Sequence, residues 1–110
     1  MGRVAVGDIV TVSFPYSDGS GVKRRPALVL AEADERDVVL CQITSRRSSS
    51  PNPVPLRRTD LASGALPIDS FIRPEKLFTA SRASLEHVVA AVSTEVLSAA
   101  RSTAAALLSS

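Results

Sequence analysis

Residues 25–30, Arg25-Pro26-Ala27-Leu28-Val29-Leu30, limit the fold more than any other stretch of this chain. Pro26 has no N–H to donate and a fixed φ, which suits the first residue of a strand. It also drives Arg25 toward an extended conformation. The run from Ala27 to Leu30 has no polar residue on alternate positions, the pattern of a strand buried on both faces. Lys23, Arg24 and Arg25 lead straight into it, so the strand presents Arg25 at its entry edge. A planar, permanently charged guanidinium held there suits a phosphate. A basic loop that only solvates the start of the strand is the plainer alternative.

The remaining chain reads as strands first and a helix last. Asp8–Phe14 is a strand with Val10, Val12 and Phe14 toward the core, ended by Pro15. Residues 15–24 have turn composition, with Asp18-Gly19 at the centre, and form a loop to an antiparallel strand over Pro26–Ala31. Glu32–Arg36 is a charged turn, and Asp37–Thr44 a third strand. Residues 46–53 are cationic and rich in Ser and Pro, the composition of a flexible loop. Val54–Leu56 is a short edge piece between prolines. Asp60–Gly64 reads as one helical turn, Ala65–Arg73 as a strand closed by Pro74, and Lys76–Ala80 as another short strand. Ser93 is an N-cap candidate. After it Val96, Leu97, Ala100, Ala104, Leu107 and Leu108 recur at helical spacing, predicting an amphipathic helix over 94–108. The expected fold is mostly β: a small barrel-like, largely antiparallel sheet with short helical turns and a C-terminal helix.

At 110 residues the chain is expected to form a single domain, 1–110, with a core that needs neither disulfide nor metal. The lone Cys41, in a strand-like run, reads as a small core residue. Residues 1–8 have no long apolar run and no stretch of about 18 apolar residues occurs, so neither a signal peptide nor a membrane span is expected, and the cytoplasm is the default. Net charge is only +2, but it is unevenly spread. No acid falls between Asp37 and Asp60, where Arg46, Arg47, Arg57 and Arg58 lie; the acids gather instead over 32–37. That asymmetry suggests a polyanion-binding face, although Arg-rich composition without a role at these sites explains it as well.

Counting removes several chemistries. One His and one Cys make no zinc site and no histidine pair. There is no phosphate loop of the Gly-x-x-x-x-Gly-Lys type. Carboxylates for a metal would have to come from the scattered Asp8, Asp18 and Asp69, so no metal or other cofactor is expected. His87, ahead of an apolar run, reads as structural. Arginine and hydroxyl chemistry remains. If the strands flanking the 32–37 turn pair as a hairpin, six steps back from residue 31 reach Arg25 and six steps on from 38 reach Thr44. Both then lie at one end of the sheet, beside the cation-bearing loops 15–24 and 45–53. A cation there stabilises charge developing on a phosphate, and the hydroxyls of Thr44 and Ser45 orient the group being cleaved.

Gly7-Asp8-Ile9-Val10, Arg24-Arg25-Pro26 with its apolar run, Gln42-Ile43-Thr44-Ser45, and Ser70-Phe71-Ile72-Arg73 leading to Lys76-Leu77 together resemble the MazF/PemK family of bacterial toxins, over nearly the whole chain and in the family's order. The resemblance implies a toxin of a type II toxin–antitoxin system, a metal-independent endoribonuclease that cuts single-stranded RNA, including mRNA, at short sequences and so inhibits translation and growth. It further implies a homodimer and a cognate antitoxin. Arg25 matches the family's catalytic arginine and Thr44 its catalytic threonine, with Ser45 the second candidate for the hydroxyl. Lys23, Arg24, Ser45, Arg46, Arg47, Tyr16 and Asp18 are the expected RNA-binding residues. One departure is visible: residues 19–25 lack the acid that many members carry before the arginine, and Asp18 is the nearest substitute. The alternative is a non-catalytic binding module on the same fold, a CcdB-like gyrase poison or a plain RNA binder. The absence of Trp weighs against the first, and the scarcity of aromatic residues gives bases little to stack on in the second.

Overall fold

The computed structural model describes residues 3–15, 18–85 and 87–110. These form seven strands: β1 (Asp8–Pro15), β2 (Val22–Glu32), β3 (Asp37–Thr44), β4 (Val54–Leu56), β5 (Leu61–Gly64), β6 (Ser70–Ser81) and β7 (His87–Val92), then one helix, α1 (Thr94–Ser109). The strands make one sheet in the order β4-β6-β3-β2-β1-β7-β5, with every pairing antiparallel. β4 and β5 lie at opposite edges, yet only residues 57–60 join them, including a 3₁₀ turn over Arg58–Asp60. So short a link between the two edges requires the sheet to curl, and the architecture is the expected barrel-like, mostly β one.

Alternation along the central strands sends side chains to both faces of the curl. Ile9, Leu28, Cys41 and Ile43 meet Val54 and Leu56 of β4 and Ala90 and Val92 of β7, which identifies this cluster as the inside. Val96, Ala100 and Ala104 of α1 close it. Val10, Ala27, Val29, Val38 and Leu40 form a second cluster on the other face, packed against Val4, Val6, Val12, Phe78 and Leu85. β1 therefore buries both faces, Ile9 as completely as Val10, where a single core face was expected. The N-cap of α1 is as expected: Ser93 Oγ accepts from Val96 N at 3.3 Å. The expected apolar stripe is not buried to its end, however: Leu107 is 38% and Leu108 76% exposed.

Four local expectations are corrected. β2 starts at Val22, not Pro26, because β1 runs to Pro15 and pairs with it there. Lys23, Arg24 and Arg25 are thus strand residues. The 60–64 segment is not a helical turn: the turn closes earlier, with Asp60 Oδ2 accepting from Arg57 N at 2.9 Å, and Leu61–Gly64 then pairs with β7. Pro74 does not end a strand, since β6 runs through it. Cys41 pairs with Leu77 and Gln42 with Arg73, so residues 74–76 bulge out of the ladder where Pro74 has no N–H to give. The 46–53 loop is tied down: Arg47–Ser49 form a 3₁₀ turn, and Ser50 is buried with its Oγ donating to Glu75 Oε1 at 2.7 Å.

Candidate active site

Pairing of β2 with β3 stops at Ala27, opposite Gln42. Pro26 comes next, and from there β2 is paired only to β1. The same register carried two residues further sets Arg25 across from Thr44. A bulge beside Leu30 absorbs the one-residue offset between this end and the Glu32–Val38 pair at the turn. Where the two strands part, a cleft of about 440 Å³ opens, lined by Lys23, Arg25, Gln42, Ile43, Thr44, Ser45, Arg46, Ser49 and Arg73. Arg25 and Gln42 lie two residues from Ala27 and Leu40 on their strands, so the cleft continues the outer face of the sheet beyond the second apolar cluster.

Within the cleft Thr44 is 9% exposed. Its Oγ1 accepts from Arg46 N at 3.1 Å, which fixes the oxygen and leaves the hydroxyl proton without an acceptor among the described residues. Among the described residues the side chains of Lys23, Arg25 and Arg46 have no ion-pair partner. Arg73 is held instead, its Nε 3.1 Å from Glu75 Oε2. The charge that faces a ligand is therefore strongly positive, and no carboxylate or imidazole is among the described residues of the lining. Also among the described residues, no three His, Cys, Asp or Glu side chains converge.

The cleft gathers Arg25, Thr44, Lys23, Ser45 and Arg46 of the expected set. Arg24 lies one residue out of phase, opposite Ser13 on β1, and is not in the lining. Arg47 is exposed in the 3₁₀ turn and also outside it. Asp18 is exposed in the β1–β2 loop, where its Oδ1 accepts from Ser20 N at 2.9 Å. Hydrogen bonds from Ser20, through its hydroxyl and its N–H, hold its carboxyl below the usual carboxylate range. It is a turn former that stays ionised. Tyr16 lies outside the described residues. The lining adds Gln42, Ile43, Ser49 and Arg73, none of them among the expected site residues. Arg73 comes from β6, across β3 from Arg25.

Sequence comparison with curated proteins gives no significant match. Among solved structures, the chain is similar to MazF in a MazE–MazF crystal structure (Form-II) from Deinococcus radiodurans, with 25% identity, 99% of this chain and 98% of that chain covered, and a TM-score of 0.76. MazF (Form-I) from the same organism is similar over 100% of both chains, at 23% identity and a TM-score of 0.74. An endoribonuclease in complex with its cognate antitoxin, from a mycobacterial species, matches at 19% identity over 94% of this chain and 96% of that one, with a TM-score of 0.68. The family model for the PemK-like, MazF-like toxin of type II toxin–antitoxin systems matches residues 5–108, and the chain belongs to that family.

Proposed function

We propose that this protein is the endoribonuclease toxin of its toxin–antitoxin pair and cuts single-stranded RNA, mRNA included, at short sequences without a metal ion, so arresting translation and growth. One observation carries the reading. A guanidinium without an ion-pair partner among the described residues, Arg25, and a fixed hydroxyl, Thr44, lie across from each other where β2 and β3 separate, in a cleft rimmed by Lys23 and Arg46. The RNA's own 2′-hydroxyl gives up its proton to solvent as its oxygen attacks the adjacent phosphorus, the P–O5′ bond breaks, and O5′ takes up a proton from solvent, leaving a 2′,3′-cyclic phosphate and a 5′-hydroxyl. Arg25 binds the phosphoryl oxygens as charge builds on them. Thr44 hydrogen-bonds the same group and holds it in line. Family membership supports this chemistry, as does a structural relative described as an endoribonuclease bound to its cognate antitoxin. The protein works as a homodimer, and an acidic antitoxin neutralises it by covering the same cationic cleft.

The test is cleavage of short single-stranded RNA in EDTA. Wild type gives cyclic-phosphate ends; Arg25→Ala loses about 10²-fold or more in rate, on the scale of deleting an oxyanion-stabilising donor. Thr44→Ala loses activity and Thr44→Ser keeps much of it. Intact RNA after incubation with folded wild-type protein rejects the enzyme.

A further inference from the structure

Two guanidiniums flank β3. Arg25, on β2, lies across from Thr44 in the continued register, and Arg73, on β6, pairs directly with Gln42, two residues before Thr44 on the same face. Both line the cleft. They differ in how they are held. Arg25 has no ion-pair partner among the described residues, whereas Arg73 is clamped through Nε by Glu75 Oε2 at 3.1 Å, both side chains being 19% exposed. The other carboxylate oxygen of Glu75 accepts from Ser50 Oγ at 2.7 Å, and Ser50 Oγ in turn accepts from Asn52 N at 3.2 Å. Glu75 thus spends both oxygens within the protein. The two Nη groups of Arg73 have no partner among the described residues. A guanidinium fixed at Nε with its fork uncommitted is set up for a second, bidentate anion.

We propose that Arg73 is a second phosphate-binding guanidinium of the cleft, positioned by Glu75 and Ser50, which rests on reading the ligand as RNA. Its partner is a backbone phosphate of the same strand on the β6 side of β3. The 74–76 bulge serves this arrangement, since it lets Glu75 turn back to Arg73 and reach the 46–53 loop at once. Glu75 is a positioning residue: it touches no RNA and acts through Arg73.

The experiment pairs two RNAs with four single-site variants and one double variant. A cleavable single strand reports the rate in single turnover. A 2′-O-methyl strand of the same sequence, lacking the nucleophile, reports affinity against salt. Arg73→Ala weakens binding of the 2′-O-methyl strand about tenfold and lowers the magnitude of its log–log salt slope by about 0.7, the loss of one single-strand phosphate contact. Arg73→Lys keeps the slope but not the cleavage rate, and its wild-type Tm shows that the site tolerates substitution. Glu75→Gln discriminates most sharply. Removing a negative charge beside a polyanion leaves affinity equal or tighter, yet cleavage slows about tenfold, and Ser50→Ala follows it more weakly. In an Arg73→Ala background Glu75→Gln has no further effect, because the two act as one unit.

A wild-type slope and affinity in Arg73→Ala overturn the inference while cleavage by wild type still stands. A Glu75→Gln loss of the same size with and without Arg73 also overturns it. Conversely, Arg73-dependent binding by a protein that never cleaves supports this site and rejects the nuclease reading. No binding of either RNA by wild type rejects both.

Discussion

Gly64 has the backbone that side chains tolerate least, with φ at +78° at the end of β5. A methyl on its Cα would run into Val89 O and Ala90 Cα of β7, both main-chain atoms that cannot swing away. Gly64→Ala therefore adds a left-handed conformation, costing about 1–2 kcal/mol, to a steric clash. A total loss of about 2–4 kcal/mol is expected in urea unfolding, with the edge pairing of β5 exchanging first in hydrogen exchange. Cys41 makes the opposite case of a side chain perfectly at ease and chemically silent. Burial, and next the nearby Glu75 charge, push its thiol up to about 12, so almost no thiolate exists at pH 8. Iodoacetamide at pH 8 is expected to leave Cys41 unmodified in native protein and to label it in urea, as mass spectrometry reads directly.

At the scale of elements, the β6 bulge decides most. Glu75 sits on it in a partly desolvated place that by itself raises its carboxyl. The Ser50 hydroxyl, its own N–H and then Arg73 outweigh that and hold it below the usual value of 4.5. The folded protein binds this proton less tightly than the unfolded chain, so the clasp contributes fully above about pH 4.5 and is lost as pH falls through the lower, folded value. The urea midpoint of wild type is expected to drop between pH 7 and pH 3.5 by more than that of Glu75→Gln; equal drops would remove Glu75 from the acid transition. The same bulge marks where the sequence stopped being readable. The Arg25–Thr44 meeting was legible because it depends on one hairpin, whose partners follow by counting outward from the 32–37 turn. Arg73 depends on β3 pairing with β6, some thirty residues on, and on Pro74 being carried in a bulge instead of ending the strand. Hydrophobic alternation reports which face a residue takes and nothing about which strand lies beside it. A signal was present nonetheless: the chain has two Arg-Pro dipeptides, Arg25-Pro26 and Arg73-Pro74. Both break a ladder with β3, and both arginines enter the cleft.

Across the whole molecule, the β2–β3 hairpin separates charge. Its turn gathers Glu32, Asp34, Glu35 and Asp37, and its open end carries Lys23, Arg25 and Arg46, with Arg73 beside them. Arg82 already offsets part of the acidic end through its ion pair with Glu32 and a 2.9 Å hydrogen bond to Glu35 O. From Arg25 to Glu32 the strand runs about 23 Å at 3.3 Å per residue, in a molecule 34 × 32 × 31 Å along its principal axes. The Debye length is about 8 Å at 0.15 M salt and about 30 Å at 0.01 M. In physiological salt the cleft is therefore electrostatically on its own, and a net charge of +2 understates what a strand of RNA meets there. Four cleft cations, each releasing counterions from one phosphate, give a slope of log affinity against log salt of about −3 for single-stranded RNA. Below about 0.02 M the acidic end comes within range and repels the rest of the strand, so the plot flattens instead of continuing to rise. Replacing Glu35 and Asp37 by Gln and Asn removes that flattening while leaving affinity at 0.15 M unchanged. A slope near zero throughout would mean that the cleft does not hold a nucleic-acid backbone, and that its four cations answer to some other ligand.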